Sequence, residues 1–135
     1  MAIFLSNDVQ VTLNAVDLSD HVTSATKNRV FDELEVTAMG DTSHVFVKGL
    51  EASTITLDFL NDTATSNVLQ TLQAACGTTV ALTLKQTSGA TSATNPLYST
   101  TVLLNNTTDI NGAVGDISTQ SITFTCNSPI VITTS

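Results

Sequence analysis

Apolar and polar residues alternate along most of this chain. Val9-Gln10-Val11-Thr12-Leu13 sends every second side chain to one face, the period of a half-buried β-strand. Asn14-Ala15-Val16-Asp17 reads as a hairpin turn, Leu18 to Val22 as a short strand continuing from it, and Val22 to Val30 as mixed but extended. Leu34-Glu35-Val36-Thr37 and His44-Val45-Phe46-Val47-Lys48 alternate on either side of Gly40-Asp41-Thr42-Ser43, which predicts a long hairpin, with a break at Gly49. The cleanest strand is Thr54 to Leu60. Ile55, Leu57 and Phe59 face one way, and Thr54, Thr56 and Asp58 the other. A one-residue slip would bury Asp58, so its orientation is well determined.

One stretch has helical spacing instead. Asn61, Asp62 and Thr63 offer N-cap oxygens, Val68, Leu69, Leu72, Ala75 and Cys76 fall on one face, and Gly77 supplies a permissive terminus. A helix over about residues 64–76 is too short to stand alone and must dock on a sheet. There each large apolar side chain contributes about 1.5–3 kcal/mol. Strands resume over Thr79 to Lys85, Tyr98 to Leu104 and Ser121 to Cys126, with Ile130 to Ile132 as a final edge. Loops rich in Gly, Ser, Thr, Asn or Asp separate them, at Thr87 to Pro96 and Asn105 to Gly115. No repeat of solenoid or propeller length interrupts the order. The expected fold is mainly β: an antiparallel β-sandwich or partly closed barrel with one flanking α-helix and a long hairpin loop, in a single domain over residues 1–135.

Composition sharpens this. Charged residues are only 12% of the chain, about half the usual ~25%. Threonine, serine and asparagine replace them, and β-branched threonine suits a pleated strand. A surface with so few charges fits a protein that covers itself with copies of itself. Twelve acids stand against four bases, Lys27, Arg29, Lys48 and Lys85, for a net charge of −8. That balance disfavours adhesion to phosphates or to anionic membranes. It is equally the balance that keeps a protein soluble. No apolar run is long enough to span a bilayer, and Ala2 to Leu5 is too short for a signal peptide, so synthesis and folding in a reducing cytoplasm are expected. Cys76 and Cys126 lack metal-ligand spacing and read as small buried hydrophobes.

No motif carries catalysis. His21 and His44 sit in no catalytic pattern. Asp32-Glu33-Leu34-Glu35 lacks the spacing and glycine of a calcium loop and reads as a solvated acidic strand edge. Gly112-Ala113-Val114-Gly115 lacks the Lys-Ser/Thr of a phosphate loop. With one tyrosine and no tryptophan, aromatic binding platforms are missing. A non-enzymatic role without catalytic, cofactor or metal residues is expected.

Three ordered segments then bear on function: Val16-Asp17-Leu18-Ser19-Asp20-His21-Val22, Val36-Thr37-Ala38-Met39-Gly40-Asp41-Thr42, and Val47 to Leu57. With Thr91 to Tyr98, Gly112 to Thr119 and the closing strand, their order resembles the major tail tube proteins of long-tailed bacteriophages. The resemblance spans most of the chain, and its weight lies in the series rather than in any one element. It implies a β-sandwich or barrel with a flanking helix, assembled into hexameric rings that stack into a tube for DNA ejection. It places the protein in the virion tail, built in the host bacterial cytoplasm. The implied partners are further copies of the chain and the tape-measure, tail-terminator and baseplate or tail-tip proteins, with DNA in passage and no membrane.

A tube needs one heterologous contact that closes a ring and another that stays open for stacking. The hairpin tip Met39, Gly40, Asp41, Thr42, Ser43 and His44 is the candidate inter-ring contact, against the plainer reading of a mobile surface loop. Asp58, on the non-core face of its strand, is the candidate lumen residue. A capsid decoration or neck protein, a tail-tip binding or adhesin module, and last a small hydrolase are the alternatives.

Overall fold

The computed structural model describes residues 8–62 and 68–135. Ten strands and one α-helix lie in this span: β1 (Gln10–Leu13), β2 (Val16–Asp17), β3 (Val22–Asn28), β4 (Phe31–Glu35), β5 (Phe46–Glu51), β6 (Thr54–Leu60), α1 (Val68–Ala75), β7 (Thr79–Lys85), β8 (Leu97–Leu103), β9 (Thr119–Cys126) and β10 (Val131–Thr133). The architecture is mainly β and antiparallel, with one helix. The main sheet runs β2-β1-β7-β8-β9-β6-β3, with β10 also on β8, and β4-β5 form a separate two-stranded ribbon. It does not close into a barrel and is sandwich-like.

The fold-over occurs at β8. One side of β8 pairs with β7 along its whole length. On the other side Leu97 to Ser99 pair with β10, whereas Val102 and Leu103 pair with β9. The layer β3-β6-β9 therefore departs from the layer β2-β1-β7-β8-β10 at a two-residue junction. Between the layers, Ile55, Leu57, Phe59, Ile122 and Phe124 join Val11, Leu13, Leu82, Leu84 and Val102 in one core. Val68, Leu72 and Ala75 from α1, with Leu18 and Leu104, complete it. Docking buries Val68, Leu69, Thr71, Leu72 and Ala75, because neighbours three and four apart share a helix face.

Four local readings change. Leu18 to His21 is not a strand, and Val22 opens β3. Asp17 Oδ1 accepts the Ser19 N–H at 2.9 Å, and the Val11 N–H donates to Ser19 Oγ at 2.9 Å. These bonds turn Ser19–His21 into a 3-10 helix beside β1. Cys76 is exposed rather than buried, because α1 ends at Ala75. Gly77, at φ 86°, turns the chain so that its N–H reaches the Leu104 carbonyl at 2.6 Å. Cys126 is half-buried, and burial pushes its thiol up from the ordinary value. Gly49 lies inside β5 instead of ending a strand. A β-bulge there brings Asp32 so close that an added Cβ would stand 3.0 Å from Asp32 Cβ and 3.1 Å from its carbonyl oxygen. The start of the expected 64–76 helix lies outside the described residues.

The β1-β2 turn is tight. Asn14 and Ala15 both have positive φ, 51° and 65°, as a two-residue hairpin matched to strand twist requires. Alanine carries a Cβ penalty in this region that glycine does not. Ala15→Gly is expected to raise stability by about 0.5–1 kcal/mol, after glycine's extra unfolded-state entropy is subtracted. A denaturation midpoint that is unchanged or lower would show that the turn stores no such strain.

Candidate functional site

The long hairpin is larger than the alternation around Gly40 indicates. β3 pairs with β6 from Val22↔Phe59 to Asn28↔Thr54. The ladder continues through the bond from the Ala52 N–H to the Val30 carbonyl at 2.7 Å, then from Phe31↔Glu51 to Glu35↔Phe46. It ends with the Val36 N–H donating to the Val45 carbonyl at 2.8 Å. One ribbon thus leaves the body at Asn28 and Thr54 and extends about 25 Å to its tip, at ~3.3 Å per residue. The tip residues Met39 to His44 are all exposed. Asp41 caps the turn by accepting the Ala38 N–H at 2.8 Å, and His44 Nδ1 contacts Glu35.

This arm carries apolar side chains with nothing over them. Leu34 stands opposite Val47, and Val36 opposite Val45, on one face. Leu34 is 53% exposed, Phe46 54% and Leu50 81%. The base, by contrast, is held firmly. Glu51 accepts the Ile130 N–H at 2.8 Å, the Ser53 hydroxyl at 3.0 Å and Arg29 Nε at 3.1 Å. The Ile130 N–H foremost, aided by Arg29 and Ser53, draws the Glu51 carboxyl below its ordinary value. The arm is therefore a projection anchored at its base in the sandwich, with an oily surface.

Asp58 lies on a different surface. The outward rows across β3-β6-β9 read Asn28-Thr54-Thr125, Thr26-Thr56-Thr123 and Ser24-Asp58-Ser121. Each residue in these rows is half-buried or exposed, and they back directly on the core positions Ile55, Leu57, Ile122 and Phe124. Thr56 Oγ1 and Thr123 Oγ1 are hydrogen-bonded at 3.2 Å. These three rows are hydroxyls and one amide, with Asp58 as their sole charge, and Leu60 opposite Thr119 ends the same face. It contains no lysine, arginine or aromatic ring.

Two clusters escaped notice in the sequence because long-range packing makes them. His21 lies between two carboxylates, with Nδ1 2.8 Å from Asp20 and Nε2 2.8 Å from Asp62. Burial opposes the imidazolium, but the two acids outweigh it and hold the His21 pKa above its ordinary value. This clasp ties the 3-10 turn to the segment preceding α1. The second cluster is a groove of about 760 Å³ between β3 and the ends of β7 and β8, which includes Lys27, Lys85 and Tyr98. Among the described residues, no group of three or more His, Cys, Asp or Glu side chains is placed to hold a metal ion. Nor is any helix among them long and apolar enough to cross a membrane. No protein-family model matches the chain, and no curated protein sequence matches it.

Proposed function

We propose that this protein is a self-assembling structural subunit of the bacteriophage tail-tube type, whose copies join into stacked, hexameric rings around a bore that passes DNA. The observation that carries the reading is the arm: a two-stranded ribbon with Leu34, Val36, Val45, Val47 and Leu50 exposed, anchored in a packed body. A monomer gains nothing from such a surface and risks aggregation through it. A subunit that covers it with a neighbour gains an interface. The ordered resemblance of the sequence to tail tube proteins supplies the kind of assembly. In that setting the chain belongs to the virion tail, is assembled in the host cytoplasm, and meets tape-measure, terminator and tail-tip proteins at the ends of the tube.

The hydroxyl wall suits the bore. DNA moves freely past a surface that offers no cation to its phosphates, and a ring of Asp58 carboxylates adds mild repulsion. Electron microscopy of the purified protein tests the assembly: stacked rings or tubes with an axial channel are expected. Monomers or discrete trimers at all concentrations would overturn it.

The wall has its own test. Asp58→Lys should leave tubes intact, because the side chain points away from the core, yet slow DNA ejection several-fold at low salt. One lysine per subunit, repeated along the bore, makes many weak phosphate contacts, and added salt should relieve them. Ejection at the normal rate at low salt would remove Asp58 from the lumen.

A further inference from the structure

The arm needs an acceptor, and one groove on the body has the complementary chemistry. Half of the chain's four basic residues, Lys27 and Lys85, lie in the groove between β3 and the ends of β7 and β8. Lys27 Nζ sits 4.0 Å above the Tyr98 ring, and Lys85 Nζ donates to the Gly89 carbonyl at 2.8 Å. Among the described residues neither ammonium is within salt-bridge distance of a carboxylate. Burial, and secondarily Arg29, pushes Lys27 down from its ordinary value, so a carboxylate brought to it would be favoured. The arm carries the opposite sign: Asp32, Glu33 and Glu35 on β4 and Asp41 at the tip are all exposed, against Lys48 and an Arg29 at the base that is paired with Glu51.

Backbone geometry adds a second match. Among the described residues β3 is the last strand of its sheet, and the edge along Thr23 to Lys27 lines the groove with no described strand beside it. β4 and β5 form a ribbon of two strands, so each has a free edge of its own. The same molecule cannot join these features. Its arm continues the line of β3 and β6 away from the body, whereas the groove lies alongside β3.

We infer that the arm of one copy lies in the Lys27–Lys85 groove of the next, its β4 edge along β3, with Glu33 and Glu35, which share one face of β4, toward the two lysines. The inference rests on the self-assembly reading and names the acceptor within it. Arm and groove are different patches, so the contact is heterologous, and a heterologous contact propagates into a ring or an open stack rather than ending at a dimer.

Charge exchange tests it, with assembly followed by sedimentation and electron microscopy and folding by thermal melts. Lys85→Glu, and Lys27→Glu with Lys85→Glu, should keep the native melt and lose at least ten-fold in the fraction assembled. Glu33→Lys with Glu35→Lys should do the same. Combining the arm and groove reversals in one chain should restore assembly. If Lys27→Glu disturbs folding through its Tyr98 contact, Lys85→Glu alone and its rescue by the arm reversal decide the matter. Groove variants that assemble like the parent, while shortening the arm tip abolishes assembly, would overturn this acceptor and leave the self-assembly reading standing. Assembly unaffected by either change would overturn both. A further check mixes Glu33→Cys and Lys85→Cys proteins, each in a Cys76→Ser background, with a short bismaleimide. Cross-linking between the two chains at these positions is expected, and its absence in assembled material would overturn the placement.

Discussion

Leu72→Asp is expected to abolish soluble folding. Leu72 has no exposed surface and belongs to the same core as Phe59, Phe124 and Leu104. Truncating such a leucine to alanine costs about 2–5 kcal/mol. A carboxylate in its place adds a desolvation penalty with no cation in the core to offset it. Together these approach or exceed the ~5–15 kcal/mol by which a small domain is stable. Gln73→Asp is the matched control, since Gln73 is the next residue on α1 and is exposed. It should melt within about 0.5 kcal/mol of the parent. Near-parental unfolding by Leu72→Asp would mean that α1 does not seal the core.

Shortening the arm should have an equally large effect of a different kind. Replacing residues 37–44 by Asn-Gly joins Val36 to Val45, which already hydrogen-bond across the ribbon, through a two-residue turn. The body should keep its melting temperature within a few degrees, because the tip contributes nothing to the core and shorter loops cost little to close. Assembly should fall from tubes to isolated subunits or unstacked rings. Full-length tubes from this variant would show that Met39, Gly40, Asp41, Thr42, Ser43 and His44 make no contact between rings. The comparison with Leu72→Asp separates folding from assembly, since one variant loses both and the other only the second.

The proposed arm-and-groove contact would account for the sparse charge of the chain. A surface built to meet its own copies cannot carry dense like charge without self-repulsion. Here the bases are few and placed. Arg29 is paired with Glu51 at the arm's base, Lys48 stands 4.7 Å from the Phe31 ring, and Lys27 and Lys85 lie in the groove. The acids are spread more widely, and those of β4 are concentrated where the arm leaves the body.

The strands whose patterns are strictly periodic were legible from the residues alone. Thr54–Leu60 and Thr79–Lys85 have the boundaries that alternation indicates, because burying one face of a strand imposes a period of two whatever its partners are. The apolar stripe of α1 was equally legible, since its partner need only be apolar. The orientation of Asp58 followed from the same rule. What alternation could not reveal is whether an apolar face is covered. Leu34, Val36, Val45 and Val47 alternate as cleanly as Ile55 and Leu57, yet the first set stands in solvent and the second in the core. The difference is that β4 and β5 run past the end of the sandwich, and that depends on the β3-β6 register, which pairs residues far apart in sequence, from Asn28↔Thr54 to Val22↔Phe59. Ser19–His21 became a turn because of bonds to Val11 across the β1-β2 hairpin, which no local propensity encodes. Cys76 left its stripe because Leu104 captured the following amide. Lys27, Lys85 and Tyr98 lie far apart in the chain, and only the folding of one layer over the other brings them to one groove. Periodicity is set by each residue's own neighbours; exposure, grooves and clasps are set by where distant strands end.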